Sequence, residues 1–159
     1  MKIFLDSSVF LKLLLDEPGA EEAQEILEAV ESGGLKAYIT PLVLEEVSFK
    51  LLLAQASYLL GTANVWRIRQ ALREDEALRA KCFTVLEELS RYIEKLSEGG
   101  LRVEPILHTD WLVSTRYVEK YGLLPADAMH VAVASRLSVS TIATFDEDFK
   151  HVKGIKVIP

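Results

Sequence analysis

The sequence predicts an α/β fold, a three-layer arrangement in which a parallel sheet of about five strands lies between two layers of helices. Three observations predict it. Short apolar runs that suit buried strands alternate with longer segments of helical periodicity, and strands separated by helices pair in parallel. The joints carry Gly, Pro, Thr and Asp, the residues that stop and start helices. The chain has 159 residues, 50% of them hydrophobic, which is enough for one core and too few for two, so residues 1–159 are expected to form a single domain.

The elements follow in order. "KIFL" (2–5) reads as a buried strand; 8–16 and 20–31 read as helices, separated by the break "DEPG" and stopped by Gly33-Gly34. "KAYIT" (36–40) is the second strand. Pro41 then opens a long helix to about Leu60, since proline is tolerated in a first turn. Residues 62–98 have helical periodicity and many charges, with a joint near "REDEAL". "LRVEPI" (101–106) is the third strand, and "TDWLVSTRYVEKYG" is a helix begun by Thr109 or Asp110 and ended by Gly122. The apolar helix "LPADAMHVAVA" (124–134) leads to the fourth strand "STIAT" (140–144), and "IKVI" (155–158) is the fifth.

Composition removes several classes of function. No apolar stretch reaches the length of a membrane span, so a soluble, cytoplasmic protein is expected. The lone Cys82 excludes an intrachain disulfide and a cysteine-based zinc cage. A net charge of −6 argues against a uniformly basic surface, though not against local basic patches. There is no Gly-rich phosphate loop, no G-x-S-x-G elbow and no pair of histidines at ligand spacing.

The acids carry the chemistry. Sites in open parallel sheets form outside the carboxyl ends of the strands. Asp6 follows the first strand directly, Asp146 follows the fourth, and Asp127 lies in the first turn of its helix. On the long helix, the neighbours of Glu46 three and four positions away are Leu42, Val43, Phe49 and Lys50, three of them apolar; this turns Glu46 inward in preference to Glu45. Each acid alone has a plain structural explanation. Together, Asp6, Glu46, Asp127 and Asp146, with Asp148 close by, converge on one rim, where their repulsion destabilises the fold unless a cation neutralises them. Oxygen-only ligands select Mg²⁺ or Mn²⁺, ions that work on phosphate oxygens, so phosphodiester cleavage is expected.

"IFLDSSVFLKLL", "ITPLVLEEVSFKL", "LLPADAMHVAVA" and "IATFDEDF" resemble, in order and over essentially the whole chain, the PIN-domain ribonucleases, and among them the VapC-type toxins of toxin–antitoxin pairs. The resemblance implies strand order 3-2-1-4-5, a metal-dependent endoribonuclease that activates water and leaves 5′-phosphate and 3′-hydroxyl ends, and a small antitoxin as partner. It maps the acidic quartet onto Asp6, Glu46, Asp127 and Asp146, the supplementary acid onto Asp148, and the hydroxyl residues onto Ser7 and Thr144. The segment 62–98 is longer than a minimal member needs and is expected to be a helical insertion or arm. A homodimer is the expected assembly.

Within this frame Asp6 and Asp146, at strand ends, are the expected direct ligands; Asp127 and Glu46 bind directly or through metal waters, and Ser7 and Thr144 orient carboxylates or water. His130, one turn behind Asp127, packs beside it or holds it. An acidic protein needs a separate basic element to attract RNA, and "NVWRIRQALRE" (64–74) supplies one: Arg69 and Arg73 share a helical face with Trp66, on which a base can stack. The alternative is that Trp66 joins Ile68 and Leu72 in an arm core or dimer interface. Other functional readings are a stand-alone RNA-processing nuclease and a non-catalytic RNA-binding scaffold of the same fold. A phosphatase with Asp6 as nucleophile is disfavoured by Ser8 at the position where such enzymes place a second acid.

Overall fold

The computed structural model describes residues 1–159. Five parallel strands, β1 (Lys2–Leu5), β2 (Lys36–Ile39), β3 (Leu101–Val103), β4 (Thr141–Ala143) and β5 (Lys156–Ile158), form one sheet in the order β3-β2-β1-β4-β5. Ile3, Phe4 and Leu5 on the central strand are fully buried, as expected of a parallel sheet covered on both faces. The helices are α1 (Ser7–Leu14), α2 (Ala20–Glu31), α3 (Pro41–Leu60), α4 (Val65–Glu74), α5 (Glu76–Glu98), α6 (His108–Tyr121) and α7 (Pro125–Arg136), and a 3₁₀ turn spans Glu147–His151. None is long and apolar enough to cross a membrane.

The chain steps from β1 outward to β2 and β3, then returns to the other side of β1 for β4 and β5. Right-handed crossovers place the connections of these two halves on opposite faces. Accordingly, α1, α2, α3 and α5 pack on one another, while α6 and α7 form their own pair. The order reverses between β1 and β4, and a crevice opens there beyond the carboxyl ends of the strands. Asp6 and Thr144 stand on its two sides.

Three boundaries differ from the sequence reading for identifiable reasons. The first helix begins at Ser7 because Asp6 is its N-cap, and it ends before Asp16, whose φ of 50° is left-handed. The third strand stops at Val103 since Pro105 has no N–H to continue a ladder. Neither Thr109 nor Asp110 caps α6. Asp110 lies in its first turn, where one oxygen accepts from the Leu107 N–H at 2.8 Å and the other from Arg136 Nε at 2.8 Å, which locks α6 onto α7.

The turn from α5 into β3 depends on close approach. A Cβ on Gly100 would lie 1.9 Å from the Leu35 carbonyl oxygen, and Gly100 N–H donates to the Val30 carbonyl at 2.8 Å. Farther out, Ala56, Ile68, Leu78 and Cys82 of α3, α4 and α5 form a small cluster separate from the main core.

Candidate metal centre

Asp6 is built into the first turn of α1. As N-cap it accepts from the Ser8 N–H at 3.2 Å through Oδ2, and the same oxygen accepts from Ser8 Oγ at 2.6 Å and from Thr144 Oγ1 at 2.9 Å. Three donors on one oxygen fix the carboxylate and leave Oδ1 free. Thr144 also accepts from the Asp146 N–H at 3.0 Å, and Ser8 Oγ accepts from the Phe145 N–H at 3.0 Å. The ends of β1 and β4 are thereby tied into one hydrogen-bonded unit.

Within the chain this network places Ser8, rather than Ser7, on Asp6. Ser8 orients Asp6, and the hydroxyl of Ser7 makes no hydrogen bond in the chain. The reason is helical: an N-cap side chain reaches the second and third residues of its helix, and Ser7 is the first. The capping pattern D-x-S was a legible signal for Ser8. Thr144 lies where the sequence put it.

On α3, Glu46 faces the crevice with a side-chain exposure of 21%, whereas Glu45 is exposed on the outer side. Glu46 Oε2 lies 3.3 Å from His130 Nε2, and Asp6 Oδ1 lies 4.0 Å from the same nitrogen. His130 is fully buried beside Phe4, and its Nδ1 has no partner. A carboxylate only accepts, so Nε2–H donates to Glu46, a placement of the proton assigned by this argument. His130 therefore contacts Glu46, where the sequence suggested Asp127. Asp6, Glu46 and His130 each bring one possible ligand atom within 4.8 Å of the others.

Asp127, half-buried in the first turn of α7, has its pKa pushed up from 3.8 to about 6. Burial is the largest cause and the charge of Asp6 the next; His130 opposes the rise, and Asp146 and Glu46 add to it. The other three carboxylates are thus close enough to act on Asp127. Asp146 caps the 3₁₀ turn by accepting from the Asp148 N–H at 2.8 Å. Asp148 enters through that backbone group alone. Its carboxylate is exposed, forms no ion pair and is not among the charges acting on Asp127.

No Lys or Arg pairs with Asp6, Glu46, Asp127 or Asp146. The Thr40 hydroxyl, two places beyond the Phe4–Tyr38 pair and so level with Asp6, is also buried without a partner. Oxygen donors that converge and have no Lys or Arg to neutralise them fit a hard divalent cation.

On α4, Trp66 is 75% exposed and the Arg69 guanidinium lies 5.8 Å from its ring centre. Ile68, not Trp66, supplies the buried contact of α4, so the reading of Trp66 as arm core does not hold. Arg73 engages the arm through its carbonyl, which accepts from Arg79 at 2.8 Å.

The PIN domain family matches residues 3–155. The chain is 30% identical over 159 residues to ribonuclease VapC6 of Methanocaldococcus jannaschii, covering 98% of this chain and 95% of that one. Its fold is similar to that of Mycobacterium tuberculosis VapC20, described as a sarcin–ricin loop cleaving toxin, with a TM-score of 0.59 at 17% identity over 99% of both chains. A toxin–antitoxin complex from Klebsiella pneumoniae is similar at a TM-score of 0.56 and 18% identity, covering 99% of this chain and 96% of that one. With its switch-point crevice, its strand order and these relatives, the chain belongs to the PIN-domain family, among the VapC-type members.

Proposed function

We propose that this chain is a Mg²⁺- or Mn²⁺-dependent endoribonuclease acting as the toxin of a toxin–antitoxin pair. The observation that carries the reading is the set of four carboxylates at the carboxyl edge of the sheet, three of which act on Asp127, with the buried His130 as their one basic neighbour and no Lys or Arg paired with them. In this reading Asp6, Glu46, Asp127 and Asp146 hold the cation. When bound, the cation supplies an activated water and charge stabilisation at a phosphodiester. Thr144 and Ser8 hold Asp6 with one oxygen turned to the site, and His130 holds Glu46 by its Nε2–H. Asp127, protonated in a fraction of molecules near pH 6 when no cation is present, must lose that proton to act as a ligand.

RNA is the substrate favoured by the activity in the name of VapC6 and in the description of VapC20. An antitoxin partner is favoured by the Klebsiella complex and by the concentrated negative charge, which attracts an Arg from a partner segment through charge-assisted hydrogen bonds. Trp66, Arg69 and Arg73 serve as an outlying contact for RNA. The test is cleavage of single-stranded RNA by the purified chain in Mg²⁺, its loss on chelation, and its loss in Asp127→Asn and Asp146→Asn variants that remain folded.

A further inference from the structure

A cleft of about 450 Å³ opens beside the acid cluster and shares Ser8 and Asp146 with it. Its lining carries two lysines, Lys12 and Lys50, and two further carboxylates, Glu17 and Glu147, of which Glu147 is paired with Lys150 outside the cleft lining. Lys12 lies four residues after Ser8 on α1, and Lys50 lies four residues after Glu46 on α3, so each is one helical turn, about 5.4 Å along the axis, from a residue of the acid site. The two helices pack against each other, which brings both ammonium groups to one cleft. Lys50 is exposed and has no acidic partner. Lys12 is paired with Glu17 at 3.1 Å, in a partly exposed position where the pair is readily exchanged. Phe145 forms another side of the cleft, and its ring is held against Gly19, where a Cβ would come within 2.7 Å.

A catalytic rim of four carboxylates repels every phosphate except the one at the cation. A second phosphate of the same strand therefore needs its own positive site nearby, and this cleft provides one. We infer that the Lys12–Lys50 cleft binds the RNA phosphate adjacent to the scissile one, with Lys50 as its standing contact and Lys12 exchanging Glu17 for the phosphate. The inference rests on the ribonuclease reading of the acid site. It makes Lys50 and Lys12 substrate-positioning residues and Glu17 a competitor for the same cation.

The charge pattern gives a test with opposite signs. Anisotropy of a short labelled single-stranded RNA is measured in Mg²⁺ on an Asp127→Asn background, so that binding is read without cleavage. Lys50→Ala should weaken binding about 5- to 10-fold at low salt and flatten the log–log salt dependence by about 0.7, the value for one phosphate contact on a single strand. Adding Lys12→Ala should flatten it by about the same amount again. Glu17→Gln should tighten binding about 2- to 3-fold by freeing Lys12. Lys2→Ala, at the opposite end of β1, should change nothing. Wild-type cleavage of the same RNA is measured in parallel. Cleavage by wild type together with unchanged affinity and salt slope in the lysine variants, or weaker binding in Glu17→Gln, overturns this inference and leaves the nuclease reading standing; absence of cleavage by wild type overturns both.

Discussion

The hydroxyl of Thr144 donates to Asp6 Oδ2 at 2.9 Å and joins the ends of the two strands between which the sheet order reverses. Neither residue is isolated from the fold. Leu5 pairs with Ala143 in the sheet, so register alone brings the next residue of each strand side by side, and the hydroxyl then decides which carboxylate oxygen is left for a cation.

Thr144→Val keeps the shape and removes the donor. It should weaken Mn²⁺ binding, read by titration calorimetry, by about 10- to 100-fold, the range for groups that orient metal ligands, and Thr144→Ser should restore most of it. Ser8→Ala should act in the same direction, and Ser7→Ala should leave affinity unchanged. An equal loss in Ser7→Ala and Ser8→Ala would contradict the placement of the hydroxyls.

Glu46 and Glu45 are adjacent in sequence and differ in what they face. Glu46→Gln should lower cleavage about 100-fold or more, while Glu45→Gln should stay near wild type. His130→Gln, which keeps a side-chain N–H, should retain more metal affinity than His130→Leu. Equal, mild effects of the two glutamate changes would leave Glu46 without its assigned part.

Much of this arrangement is legible in the sequence because its determinants are local. Apolar strands, Pro41 at a helix start and Gly122 at a helix end mark the element order, and the apolar neighbours of Glu46 indicate which glutamate turns inward. The contacts that need two distant segments are not legible. His130 meets Glu46 across 84 positions, and Arg136 reaches the second oxygen of Asp110 across 26. For Asp148, proximity in sequence to Asp146 fixes the backbone, not the direction of the carboxylate. Trp66 and Ile68 lie two positions apart, on opposite sides of α4, so only one of them can face the core.

Asp127 makes the metal-free protein pH-sensitive in a defined direction. Its folded pKa of about 6 exceeds the ordinary 3.8, so between these values the native state binds more protons than the unfolded one. Stability from this group is therefore greatest below about pH 4 and falls as pH rises through 6. Asp127→Asn removes the charge. At pH 7.5 without metal it should raise Tm by about 2–4 °C, for a cost of about 1 kcal/mol once screening at a half-exposed site is allowed for, and the difference should shrink at pH 5. A lower Tm for Asp127→Asn at pH 7.5 would show the carboxylate to be a structural support.

Gly100→Ala tests the fold apart from the site. The added Cβ meets main-chain atoms of Leu35 that cannot move without disturbing the α2–β2 connection. A loss of about 3–4 kcal/mol in denaturant unfolding is expected, against about 1–2 kcal/mol for Gly33→Ala, which has open space and only its positive φ against it. Similar losses in both would mean that close approach at Gly100 is not what matters.

In the proposed reaction the four carboxylates hold a divalent cation that cleaves RNA. Its most direct measurement is the rate of single-stranded RNA cleavage by the purified chain as Mg²⁺ is titrated from zero, beside an Asp146→Asn variant of unchanged fold. No cleavage is expected without the ion, saturable cleavage with it, and a loss of about 100-fold or more in the variant; cleavage that persists in chelator, or that survives in Asp146→Asn at the wild-type rate, would rule out a carboxylate-held cation as the source of the activity.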